Sequence, residues 1–156
     1  WCYLLGDFGV VLSGCEARLT GPVRALRFGN IVPQGLPFYT GNITYHCTLE
    51  GDGKPCGLRV SSFLSPVLSV SLDGADCGRI AFAPYRLELG SPGKGKHSLD
   101  ITLFGNRHNG FGPVHSLDQS IRGYGPGWWF TEGAAWSEEY VLRKNGILLP
   151  PVAERG

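Results

Sequence analysis

Apolar and polar residues alternate with a period of two in many short runs along the chain. The clearest is Lys96–Leu103, where Leu99, Ile101 and Leu103 point one way and Ser98, Asp100 and Thr102 the other. That is the pattern of a half-buried strand. Asn42–Glu50 repeats it, with Ile43, Tyr45, Cys47 and Leu49 on one face and Thr44, His46 and Thr48 on the other. Shorter runs predict strands at Val10–Leu12, Cys15–Leu19, Cys56–Phe63, Val67–Leu72, Cys77–Ala83 (Ile80 and Phe82 inward), Tyr85–Leu89 and Glu138–Arg143. Val23–Phe28 is a short alternating piece and Gly29–Pro37 a loop with two prolines. Ser116–Arg122 has only weak helical character. Ile147–Pro151 is an apolar tail before a polar C-terminus. Turn signals separate the runs, and Asp73-Gly74 is the strongest hairpin signal among them.

About ten short strands, with turns roughly every 8–12 residues, predict an all-β fold, an antiparallel β-sandwich or a barrel. Two facing sheets in jelly-roll style are favoured, with a ligand-enclosing barrel as the alternative. Sheets stacked about 10 Å apart would interleave Ile43, Tyr45, Leu72, Ile80, Leu87, Leu99, Ile101 and Leu103.

Composition narrows the picture. A chain of 156 residues fits a single domain, 1–156, with a real core. Charged residues make up only 17% and the net charge is +1. Such a balance excludes partners bound by phosphate neutralisation, so neither nucleic acid nor a membrane surface is expected. No apolar segment approaches the roughly 20 residues that span a bilayer. The five cysteines, Cys2, Cys15, Cys47, Cys56 and Cys77, contain no C-x-x-C pair, and free thiols are favoured over a disulfide. The chain opens on Trp1 and has no Met, so it reads as a fragment of a longer protein. No signal peptide is visible, and a reducing cytoplasm is the expected compartment.

One segment has a more particular grammar. Val67–Asn109 runs through Asp73-Gly74, then Ala83-Pro84-Tyr85 with an alternating strand, then Pro92-Gly93-Lys94-Gly95, then LDITLFGN. This resembles the galactose-binding-like jelly-roll domains attached to large glycoside hydrolases, notably those of glycoside hydrolase family 2. Gly95, His97, Leu99, Ile101 and Leu103 fit the family's last strand, while Gly105 stands where its Asn is expected and Asn106 follows one residue late. Leu4–Phe8, and Gly35–Tyr39 with Gly41-Asn42, look like the C-terminal regions of bacterial proteins of that kind. The resemblance covers about residues 38–143. It implies an accessory domain whose partner is the catalytic domain of the same parent chain, with an oligosaccharide as a further partner. The catalytic acid and nucleophile of such enzymes lie on a separate barrel, so no catalytic residue is carried over.

A sugar site needs an aromatic face for the apolar side of the ring and planar polar groups for its hydroxyls. Trp128, Trp129, Tyr124 and Phe111 could supply the first; Asn106, Arg107, His108, Asn109 and Glu132 the second. They lie in or near loops that follow the Lys96–Leu103 strand. The competing reading is that these aromatics pack against a neighbouring domain. His46, His97, His108 and His115 lack the close spacing, with a Glu on a paired strand, of a cupin-type metal centre. Of the acids, only Asp73 and Asp76 share a turn, short of the six or more oxygens that Ca²⁺ takes. No cofactor is expected, with structural calcium the one ion left open. Glu138 and Glu139 are neighbours on an expected strand, diverge, and make poor partners for two-carboxylate hydrolysis.

Overall fold

The computed structural model describes residues 4–118, 120 and 132–155. The chain divides into two compact units, one of Trp1–Thr40 with Arg107–Lys144, the other of Gly41–Asn106 with Asn145–Gly156.

The second unit holds the sandwich. Its larger sheet runs β3 (Ile43–Gly51), β9 (Gly95–Leu103), β6 (Leu68–Leu72), β7 (Ala75–Ile80), antiparallel throughout. Register places the alternating residues in rows: Tyr45, Ile101 and Val70 form one, and Ile43, Leu103, Leu68 and Ile80 another. Ile101, Leu103, Leu68 and Val70 have no solvent exposure. The opposite face carries polar rows, where Thr44 and Thr102 share a hydroxyl hydrogen bond of 2.9 Å and His46 meets Asp100 at 2.8 Å. The Asp73-Gly74 turn joins β6 to β7 with φ of 50° and 80°. These left-handed values suit the right-handed twist of a hairpin.

The smaller sheet runs β11 (Val152–Arg155), β4 (Cys56–Arg59), β8 (Arg86–Gly90), and a two-residue pair joins β5 (Phe63–Leu64) to β10 (Gly146–Ile147). Leu58, Leu89, Cys56 and Ile147 are buried. Burial raises the pKa of the Tyr45 phenol, against the Ile147 backbone nearby, which lowers it. Of the eight expected core side chains, Tyr45, Ile80, Leu99, Ile101 and Leu103 are buried; Ile43, Leu72 and Leu87 are half-buried.

In the first unit, β1 (Gly9–Ser13) and β2 (Glu16–Thr20) form a hairpin. Single 3₁₀ turns occupy Val32–Gln34 and Gly133–Ala135, and α1 (His108–Phe111) is one turn long. The architecture is all-β and antiparallel, a sandwich of the jelly-roll type. Among the described residues no helix is long and apolar enough to cross a membrane.

Several local expectations are corrected. Phe82 is not inward: β7 ends at Ile80, the chain turns through a Tyr85 N–H to Phe82 carbonyl bond, and Phe82 is 86% exposed. Glu138–Arg143 is not a strand; isolated bonds tie it down, Ser137 N–H to the His115 carbonyl and Val141 N–H to the Val114 carbonyl. Cys56–Phe63 breaks after Arg59 into β4 and the start of β5. The C-terminus is not a tail: both β10 and β11 pair within the unit. Cys15, Cys47, Cys56 and Cys77 are free thiols, as favoured from their spacing.

Candidate functional site

The polar loop after β9 is shaped by its glycines. The Phe111 N–H donates to the Arg107 carbonyl at 2.9 Å and the Gly112 N–H to the His108 carbonyl at 2.7 Å, closing α1. Pro113 follows and cannot donate to a further turn. A Cβ on Gly110 would strike the Thr40 side chain and come within 3.0 Å of the Phe38 carbonyl; one on Gly112 would strike the His108 carbonyl. The loop is therefore packed closely onto Phe38–Thr40 of the same unit.

This packing decides what its side chains are free to do. Asn109 is only 4% exposed. Its amide nitrogen donates to the Arg143 carbonyl at 2.7 Å and its amide oxygen accepts from the Arg143 N–H at 3.0 Å. Both ends of that amide are thus engaged as a backbone mimic. Burial pushes the His108 imidazole below its usual pKa, and the Arg143 charge adds to the shift. Arg107 is exposed and Phe111 is 44% exposed, so these two reach solvent. Asn106 belongs to the other unit and is half-buried. Tyr124, Trp128 and Trp129 lie outside the described residues.

Nearby in the same unit is a ring cluster that spacing did not reveal. His115 stacks on Trp136 with centroids 6.1 Å apart and planes 16° apart, and sits 4.8 Å from Tyr140. Tyr140 meets Phe38 edge-on at 5.2 Å. The His115 Nδ1 lies 3.0 Å from the Ser137 carbonyl. Trp136 remains 46% exposed and offers an aromatic face to solvent. These four rings come from three distant stretches, and no local pattern joins them.

In the sandwich unit many titratable groups are paired, within strands and between them. His97 Nδ1 lies 2.6 Å from Asp73 and its Nε2 2.9 Å from the Gly93 carbonyl. With an acceptor at each nitrogen, the charged imidazolium fits best. The Asp73 hydrogen bond, with help from Gly93, raises the His97 pKa, and the same bond lowers that of Asp73. Glu154 takes Arg59 at 2.5 Å and Arg86 at 2.9 Å, and Arg86 also bonds Glu88. Arg79 holds Asp76 at 2.6 Å. Among the described residues no group of three or more His, Cys, Asp or Glu comes together as a metal cage would.

Fold and contacts define an antiparallel β-sandwich with an attached aromatic-bearing unit. Among solved structures the chain is similar to a rhamnosidase from Novosphingobium sp. PP1Y, at TM-score 0.51 and 18% identity over 94% of this chain and 14% of that one. It is also similar to a GH2 beta-galacturonidase from Eisenbergiella tayi, bound to glycerol, at TM-score 0.48 and 22% identity, over 95% of this chain and 22% of that one. No protein-family model matches the chain, and no curated protein matches it. The rhamnosidase likeness is one of fold, and the chain spans a small part of both enzymes.

Proposed function

We propose that the chain is a non-catalytic accessory domain of a larger glycoside hydrolase-like protein. It braces the catalytic domain of its parent chain, contributes to oligosaccharide binding, or does both. One observation carries this reading. Nearly the whole chain, 94%, has the fold of a segment that makes up 14% of a rhamnosidase. A fold that recurs as a piece of a long enzyme fits an attached module. Fold is analogy where function is concerned, so the residues matter too. Hydrolysis by two carboxylates needs both acids flanking one bond. Here Asp73, Asp76, Asp100 and Glu154 are committed to His97, Arg79, His46 and the Arg59–Arg86 pair. The purified chain is expected to leave a panel of aryl glycosides intact. Turnover at an ordinary enzymatic rate, about 1 s⁻¹ or faster, would overturn the proposal.

The exposed rings of Phe111 and Trp136 favour a second reading, a free-standing carbohydrate-binding module. It expects glycan-array binding by the isolated chain that is lost on Trp136→Ala, Trp128→Ala or Trp129→Ala. An array on which the chain binds nothing removes this second reading.

A further inference from the structure

The sandwich unit has a half-open cleft of about 210 Å³, lined by Ser61, Ser62, Phe63, Ser65, Ala81 and Tyr85. We propose that this cleft binds one neutral sugar ring. The inference rests on the accessory-domain reading and adds the place and class of ligand. Size argues first, because the volume falls below the roughly 300–1,000 Å³ of sites for drug-sized molecules. The occupant is one ring, such as the end of a glycan.

Chemistry argues second. Phe63 and Tyr85 form an edge-to-face pair, centroids 5.3 Å apart at 83°, which places an aromatic wall beside hydroxyl groups. Sugars present both apolar C–H faces and hydroxyls, and this lining offers a counterpart to each. The hydroxyls of Ser61, Ser62 and Tyr85 make no hydrogen bond to the described residues, so they are available. Ser65 is not, since its hydroxyl is tied to the Val67 carbonyl at 2.9 Å and the Phe104 carbonyl at 2.5 Å.

Charge argues third. No Lys, Arg, Asp or Glu lines the cleft. Arg86, next to Tyr85 in the chain, is bound to Glu154 and Glu88, and Arg59 is bound to Glu154. A uronic acid would find no unengaged guanidinium there, so a neutral ring is selected.

The walls are also fixed in advance. The Val60 N–H donates to the Tyr85 carbonyl at 3.0 Å, and the Leu148 N–H to the Ser62 carbonyl at 2.9 Å. Tyr85 itself sits at φ 56°, a region that a non-glycine side chain occupies only when its surroundings enforce it.

The test is an amide chemical-shift titration of the 156-residue chain. The probes are the methyl glycosides of glucose, galactose and mannose, with methyl glucuronide as the charged control. Shifts are expected at 61–65 and 81–85 for at least one neutral glycoside, with Kd about millimolar and glucuronide at least tenfold weaker. Tyr85→Asn removes the ring while tolerating positive φ, and Ser61→Ala with Ser62→Ala removes two hydroxyls. Each is expected to weaken binding tenfold or more in a chain whose remaining spectrum is unchanged. Shifts confined to Phe111–Trp136, or none up to about 50 mM, well past the millimolar range, overturn the cleft but leave the accessory-domain reading standing. Equal binding of glucuronide overturns the neutral selection. Hydrolysis of aryl glycosides would overturn the accessory reading itself.

Discussion

Asn109→Ala puts the loop geometry to a direct test. The side chain closes a long excursion of backbone through two hydrogen bonds to Arg143, at 2.7 and 3.0 Å. Each such bond contributes about 0.5–1.5 kcal/mol net. Their joint loss is therefore about 2 kcal/mol, near thirtyfold in the folding equilibrium. With a urea slope of about 1–3 kcal/mol/M, the midpoint falls by roughly 1 M. A second substitution isolates the mechanism. Asn109→Asp keeps an acceptor for the Arg143 N–H but sets a second oxygen against the Arg143 carbonyl. The introduced carboxyl regains a donor only when protonated, so its folded pKa lies above the usual value of about 3.9. Its penalty is present at neutral pH and shrinks as pH falls through that raised pKa. Urea melts at pH 7 and pH 4.5 read the stability, and amide exchange at Arg143 reads the loop directly. The reasoning fails if Asn109→Ala melts with the parent and the Arg143 amide exchanges no faster. Asn109 would then be free for ligand, as its loop position first suggests.

Other outcomes follow from the sandwich. Ile101→Ala empties a fully buried position between Tyr45 and Val70 and should cost about 2–5 kcal/mol in urea unfolding, whereas Phe82→Ser, at an exposed site, should stay within about 0.5 kcal/mol. The His97–Asp73 pair should give a pH signature in thermal melts. The raised His97 contribution is complete below the unfolded value of 6.5 and is lost as pH rises through the higher folded pKa; that of Asp73 is complete above 3.8 and is lost as pH falls through the lowered one. In His97→Gln the alkaline loss should vanish, and a His97 ring titration by NMR at or below 6.5 would contradict the assignment. Gly51→Ala would drive a methyl into the Gly93 carbonyl and to 2.8 Å from His97 Nε2. It should cost about 1–3 kcal/mol and shift the His97 resonances, and an unaltered His97 spectrum would speak against that packing.

Where burial follows from one strand's own alternation, the fold was legible. Leu99, Ile101 and Leu103 announce their face because buried and half-buried positions alternate along the second half of β9. Asp73-Gly74 announces its turn because both residues accept positive φ. β11 gives no such signal: its partner Cys56–Arg59 is distant in sequence, and its most enclosed side chain is Glu154, held by two arginines rather than by apolar packing. Phe82 misleads for the opposite reason, keeping the period of two after the strand has ended. At the loop, residue types promised polar groups open to a ligand. The glycines that let it pack onto Phe38–Thr40 also turn Asn109 inward, a tertiary fact absent from local spacing. The His115–Trp136–Tyr140 stack was hidden likewise, its rings being separated along the chain.

The pairing of β11 with β4 has a practical bearing on anyone who trims this polypeptide. Cutting after Pro151 would remove Glu154 along with the strand, leaving the backbone donors and acceptors of Cys56–Arg59 without their neighbour and two guanidinium groups without their shared counterion. Bare strand margins recruit one another between molecules. A version cut there would thus precipitate.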